Sequence, residues 1–242
     1  MRAIDGDPGM RPAARQFVAA PVAADPGRRA AALRPGHPRR PTPLTGAGVR
    51  LLLISGSLRA GSTNTAVLRT ARTVAPDGVA AALYDGMGTL PHFNPDDDRE
   101  AEPVYAAVAE LRAQISAADA LLLCTPEYAG ALPGALKNLL EWTVGDAGNH
   151  DKPVAWVNAS GPAAPTGAAD AHDSLRRVLG YVGADIVEAA CVRIPVTRHV
   201  VGPDGTIADP GIRGRIEETL TTLVRHVAER VDRLREEDDA SR

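Results

Sequence analysis

From Val49 onward, short apolar runs alternate with helical patterns, and this alternation restricts the chain to very few folds. Val49–Ile54, Val79–Tyr84, Asp119–Cys124, Pro153–Asn158 and Ile186–Ile194 read as strands. Between them lie helical stretches at Asn64–Val74, Pro103–Ala117, Pro133–Val144 and Asp170–Val182, and Ile212–Arg235 forms a long terminal helix. Apolar residues recur three and four apart in these stretches, as in Ala66, Val67, Leu68, Ala71 and Val74, or Val104, Val108, Leu111 and Ile115. Pro133 falls in a first helical turn, where a missing N–H is harmless. Strands separated by helices imply βαβ units and a parallel sheet. The expected fold is α/β and doubly wound: five parallel strands in the order 2-1-3-4-5, with helices on both faces.

In that order strands one and three are neighbours at the point where the winding reverses, and ligands bind outside the carboxyl ends of strands there. Two loops meet at this edge. Ser55-Gly56-Ser57-Leu58-Arg59-Ala60-Gly61-Ser62-Thr63-Asn64 follows strand one, and Thr125-Pro126-Glu127-Tyr128-Ala129-Gly130 follows strand three. Ser57, Arg59, Ser62, Thr63 and Asn64 surround a helix start, where free N–H groups and the helix dipole favour an anion. Arg59 adds a planar fork for two parallel bonds to a phosphate. Capping the helix needs one of Ser62, Thr63 and Asn64, not the whole cluster. The loop lacks a Gly-Lys-Ser/Thr ending and is not Gly-x-Gly-x-x-Gly, which points to a monophosphate. The second loop, with proline, glycine and one aromatic, suits a flat ring.

Gly56-Ser57-x-Arg59-x-x-Ser62-x-Asn64, Thr125-Pro126-Glu127-Tyr128, Pro133-Gly134-Ala135-Leu136-Lys137-Asn138 and Leu90-Pro91-x-Phe93-Asn94-x-Asp96 together resemble the NADPH-dependent FMN reductase family. Its relatives include bacterial chromate, quinone and azo-dye reductases with a flavodoxin-like fold. The resemblance covers residues 49 to about 195. It implies non-covalent FMN, with Ser57, Arg59, Ser62 and Asn64 on the 5′-phosphate. It also implies Pro126, Glu127, Tyr128 and Gly130 along the isoalloxazine ring, largely through backbone N–H groups. Ser160 and Gly161, in the loop after strand four, are the residues expected to flank the ring. The family usually has asparagine where this chain has Ala129, so a side-chain amide is missing from the ring or substrate pocket. Arg176 is a candidate to attract the NADPH phosphate, and His172 is expected at the surface.

The implied activity is an NAD(P)H oxidoreductase. Hydride passes from NADPH or NADH to flavin N5, then electrons pass to free flavin, a quinone, chromate or an azo compound. The flavin carries this chemistry, so no catalytic side chain is required. The alternatives are a flavodoxin-like electron carrier or flavin-binding regulator, and a phosphate-binding α/β enzyme without flavin. In relatives the helix bearing Leu139, Leu140 and Trp142 contributes to a subunit interface, which implies a homodimer or homotetramer; Trp142 itself reads as core.

Residues 1–48 read differently. Eight arginines against three acids give them a charge of +5, leaving −8 for the rest of a chain whose net charge is −3. Eight prolines and little periodicity make this segment disordered or loosely attached, ahead of a reductase domain at 49–236. A basic interaction arm and a translation start near Val49 are the other readings of it. The negative balance argues against nucleic acid and anionic membranes as partners. No run approaches the length of a membrane span and no signal segment is visible, so the expected location is cytoplasmic. Cys124 and Cys191 read as small buried hydrophobes, and no His/Cys/carboxylate spacing resembles a metal site.

Overall fold

The computed structural model describes residues 48–98, 105–144, 150–162 and 164–240. The N-terminal segment expected to be loosely attached lies, except for Gly48, outside the described residues, as does Val104. The elements are β1 (Val49–Ser55), α1 (Thr63–Thr73), β2 (Val79–Tyr84), α2 (Ala106–Ala117), β3 (Ala120–Cys124), α3 (Gly134–Glu141), β4 (Pro153–Asn158), α4 (Ala169–Tyr181), β5 (Asp185–Ile186), β6 (Val192–Arg193) and α5 (Pro210–Ala240).

The sheet runs β2-β1-β3-β4-β5 and every pairing is parallel, so the flavodoxin-like order expected from the sequence is the order observed. β1 and β3 sit at its centre, in a register that sets Ser55 opposite Cys124. Their near-continuous apolar runs are buried on both faces, as central parallel strands require. Alternate residues feed two cores. Leu51, Leu53, Leu122 and Val157 pack with α1 and α5 through Val67, Leu68, Ile216, Leu220 and Leu223. Leu52, Ile54, Leu123 and Trp156 pack with α2, α3 and α4 through Val108, Leu111, Leu136 and Leu175. Trp142 is fully buried, in edge-to-face contact with Phe93 at 5.0 Å, as its reading as core requires.

The fifth position departs from expectation. Ile186–Ile194 is not one strand: β5 and β6 both pair with β4, and a short 3₁₀ turn, Glu188–Ala190, separates them. The physical reason lies in Glu188-Ala189-Ala190, residues with little to gain from a pleated surface. The chain loops out there and rejoins the edge through Ile194 N–H donating to Asn158 O at 2.8 Å. At the far end, α5 begins with Pro210 after Asp209, whose Oδ1 accepts from Ile212 N at 2.8 Å. Among the described residues no helix is long and apolar enough to cross a membrane.

Candidate functional site

Three loops leave the carboxyl edge of the sheet. The first, between β1 and α1, is shaped by bonds within itself. Ser55 Oγ and Thr65 Oγ1 lie 2.8 Å apart, Ser55 Oγ accepts from Ser57 N at 3.3 Å, and Ser57 Oγ accepts from Arg59 N at 3.3 Å. Ser62 is the residue that caps α1, accepting from Thr65 N at 3.5 Å. Ser57, Ser62 and Asn64 are buried, whereas Arg59 is exposed and joins no ion pair among the described residues. An exposed arginine thus lies three residues ahead of Ser62, the cap of a helix whose start is rich in hydroxyl groups.

The start of this loop is pressed against the end of β3. Gly56 N donates to Cys124 O at 2.9 Å, and a Cβ on Gly56 would lie 2.2 Å from Thr125 Oγ1. Glycine is required there by space rather than by an unusual backbone angle. Asn64 completes the junction: its Oδ1 accepts from Cys124 Sγ at 3.3 Å, leaving Nδ2 as its remaining donor. Burial pushes the Cys124 thiol far up, so it stays protonated and donates. Both cysteines are unbridged; Cys124 is buried and Cys191 half-buried, its thiol pushed up to about 11, chiefly by burial.

The second loop turns tightly. Tyr128 and Ala131 exchange both backbone bonds, at 3.0 and 3.1 Å, across Ala129 and Gly130, whose φ angles are 52° and 72°. A two-residue turn with both centres at positive φ favours Asn-Gly. The asparagine usual at this position therefore has a backbone reason, beyond any amide it offers the pocket. Ala129 adopts the same left-handed conformation without that help, at a cost of about 1–2 kcal/mol.

Glu127 contributes more than its backbone. Its carboxylate accepts from Thr166 Oγ1 at 2.7 Å and from Ala171 N at 3.3 Å, reaching into the third loop and the first turn of α4. No signal within the second loop announces this, because the partners lie 39 and 44 residues further on. Asn138, part of the motif on α3, also has a structural task. It accepts from Phe93 N and donates to Pro91 O, both at 2.8 Å, while Trp142 Nε1 donates to the same Pro91 O at 2.9 Å. These bonds staple the loop after β2 to α3.

The third loop, between β4 and α4, is held at its base by Asn158, which donates to Gly167 O at 2.7 Å and accepts from Ser160 N at 2.9 Å. A cleft of about 270 Å³ opens between the loops, with Thr63, Asn64, Pro126, Glu127, Ser160 and Gly161 in its lining. Six of the expected site residues thus share one concavity; Ser57, Arg59, Ser62, Tyr128 and Gly130 belong to the same loops outside its lining. Among the described residues, no group of three or more His, Cys, Asp or Glu side chains is arranged to hold a metal ion.

Two residues beyond the third loop differ from expectation. His172 is buried rather than at the surface. Its ring sits 6.0 Å from Trp156, with Nδ1 donating to Ala168 O at 2.6 Å, and Nε2 is buried with no hydrogen-bond partner among the described residues. Burial pushes its pKa below the ordinary histidine value, which favours the neutral ring. The helical spacing that carries Ala171, Leu175 and Leu179 inward carries His172 with them. Arg176 stacks 5.1 Å over Trp156 and pairs with Glu188 at 2.9 Å, so its charge already has two partners.

Comparison with known proteins identifies the family. Residues 49–197 match the model of the family described as NADPH-dependent FMN reductase. The chain is 35% identical over 182 residues to an NAD(P)H-dependent FMN reductase of Pseudomonas aeruginosa, covering 72% of this chain and 93% of that protein. It is 30% identical over 178 residues to a quinone reductase of Escherichia coli K12, covering 72% and 93%. Among solved structures, FerB, a flavoenzyme NAD(P)H:(acceptor) oxidoreductase from Paracoccus denitrificans, superposes with a TM-score of 0.64 at 26% identity, covering 75% of this chain and 98% of that one.

Proposed function

The chain belongs to the NADPH-dependent FMN reductase family and is an oxidoreductase, and from that premise we propose how its three loops divide the work. The donor set fits FMN. An exposed arginine, buried serine hydroxyls and a helix N-terminus match a phosphate monoester, and the adjoining cleft between proline- and glycine-bearing loops matches a planar ring. Bound FMN supplies hydride acceptance from NADPH or NADH and electron delivery to a second acceptor.

The chain's own residues bind and orient. Arg59 neutralises the phosphate, while Ser57, Ser62, Thr63 and the Asn64 amide supply short hydrogen bonds around it. The backbone N–H groups of Glu127, Ala129 and Gly130 present fixed dipoles to the polar edge of the ring, where they need no reorganisation during reaction, while the Tyr128 N–H closes the turn onto Ala131 O. Pro126 has no N–H and so contributes shape alone. Ser160 and Gly161 form the facing wall, and exposed Tyr128 covers the ring edge. The second acceptor is a quinone, the substrate class named for the Escherichia coli relative, and it shares the open cleft with the nicotinamide. On the same reading the reductase domain is residues 49–236, working in the cytoplasm as a homodimer or homotetramer.

The observation that carries this reading is exposed Arg59, which joins no ion pair among the described residues, in the loop leading to Thr63 and Asn64 of the cleft lining. The test is an anaerobic absorbance titration of FMN-reconstituted, desalted protein with NADPH and, separately, NADH. Loss of the oxidised flavin band is expected. Failure to retain FMN would overturn the reading. A flavin band that neither nicotinamide bleaches would assign an electron carrier instead.

A further inference from the structure

We propose that Glu127 is a positioning residue whose carboxylate sets the width of the cleft, by tying the loop after β3 to the loop after β4 and to the first turn of α4. Its functional consequence rests on the cleft being the flavin site; the tie itself rests on geometry alone.

Three observations converge on this carboxylate. First, α4 has no cap of its own. Ala168 occupies the capping position with φ 62° and ψ 25° and carries no side-chain oxygen. The N–H of Ala171, third in the helix, is one that a capping side chain would ordinarily take, and Glu127 Oε2 takes it at 3.3 Å. A negative charge is favoured at that end of a helix. Second, the other oxygen closes a relay. Thr166 Oγ1 donates to Glu127 Oε1 at 2.7 Å and accepts from Ala168 N at 3.2 Å, so one hydroxyl joins both sides. Third, the third loop holds a conformation that needs support. Gly167 and Ala168 both have φ of 62°, and a left-handed alanine persists only where its surroundings over-determine it. Asn158 secures the base of that loop, and Glu127 secures the part nearest α4.

Glu127 and Pro126 line one wall of the cleft, and Thr166, Ser160 and Gly161 line the other. A bond from Glu127 to Thr166 therefore spans the walls, and its length fixes their separation. Without it, the third loop relaxes away from Pro126 and the ring loses its facing wall.

The test is a double-mutant cycle on the full chain with Glu127→Ala, Thr166→Val and both together, alongside Glu127→Gln. Two readouts are used: hydrogen exchange of amides 160–171 in flavin-free protein, and the dissociation rate of bound FMN. Each single variant is expected to speed exchange in 160–171 about tenfold, with β1 and β3 amides unchanged as the check on folding. FMN release rises by a similar factor, the double variant is no worse than either single one, and Glu127→Gln falls between Glu127→Ala and the parent, because its single carbonyl oxygen still accepts from Thr166 while its NH2 cannot accept from Ala171 N. Unchanged exchange in 160–171, or effects of the two substitutions that simply add, would overturn the proposal. If the parent protein binds no FMN, the flavin reading fails while the exchange cycle still decides the tie.

Discussion

The phosphate-side loop and the loop after β4 border the same cleft but are built in opposite ways. In the first, the bonds among Ser55, Ser57, Arg59, Ser62 and Thr65 close over ten residues or fewer. In the second, the decisive partner of Thr166 and Ala171 is Glu127, 39 and 44 residues earlier. The hydroxyl bonds of the first loop close once β1 and α1 form, and Gly56 and Asn64 then fasten it to Cys124 of β3. A loop closed from a distance takes its shape only when the sheet has assembled, and local opening there costs less. Under the proposed function, the first loop supplies affinity and the second alignment.

The largest expected effect comes where the two halves touch. Gly56→Ala drives a methyl group to 2.2 Å from Thr125 Oγ1 and 3.0 Å from Leu136 Cδ2. Such overpacking is expected to cost about 3 kcal/mol in urea unfolding and to abolish flavin retention. A variant as stable as the parent would show that the β1–β3 junction is looser than described.

Next is Arg59→Ala. Arg59 makes no ion pair among the described residues, so its removal is expected to leave stability unchanged, while loss of a charge-assisted phosphate contact is expected to cost about 2 kcal/mol of FMN affinity, about 30-fold in Kd. Fluorescence titration checks the affinity and a thermal melt checks the fold. A matching loss of stability would place Arg59 among the structural residues instead.

On the α4 side, His172 predicts a pH dependence. Its folded pKa lies below the ordinary value of 6.5, so the unfolded chain takes up the proton first as pH falls. The resulting stability is present above 6.5 and is lost as pH falls from there toward the lower folded value. Urea unfolding of the parent and of His172→Phe at pH 7.5 and 5.5 reads it: the parent loses stability relative to the variant on acidification. Parallel pH profiles would exclude His172 as the source.

The smallest effect tests the ring loop. Ala129→Asn places a residue that tolerates positive φ in the two-residue turn and is expected to stabilise by about 0.5–1 kcal/mol. A thermal melt raised by a few degrees, with flavin affinity unchanged, would confirm a backbone role; a change in acceptor preference alone would return that position to the pocket.

Legibility in the sequence follows the same division. The sheet order, both cores and the burial of Trp142 were readable because apolar periodicity is local and strong. The residues of the first loop were readable as a group because hydroxyl groups, one arginine and glycines crowd one helix start. Glu127 was readable only as part of a motif; its carboxylate's task depends on Thr166 and Ala171, which no spacing links to it. The polarity of His172 points to the surface, whereas the helix phase shared with Leu175 and Leu179 turns it inward. The fifth strand reads as continuous because Val187 and the Val192-Arg193-Ile194 stretch frame Glu188-Ala189-Ala190, yet edge strands tolerate such interruptions.

The most direct measurement of the central claim is a pair of binding titrations, with FMN and with riboflavin, on the parent and on Arg59→Ala. A phosphate held by the first loop predicts that the parent binds FMN about 100-fold or more tighter than riboflavin, and that Arg59→Ala narrows the gap by weakening FMN alone. Equal affinities for the two flavins in the parent, or an Arg59→Ala variant that weakens both alike, would contradict it.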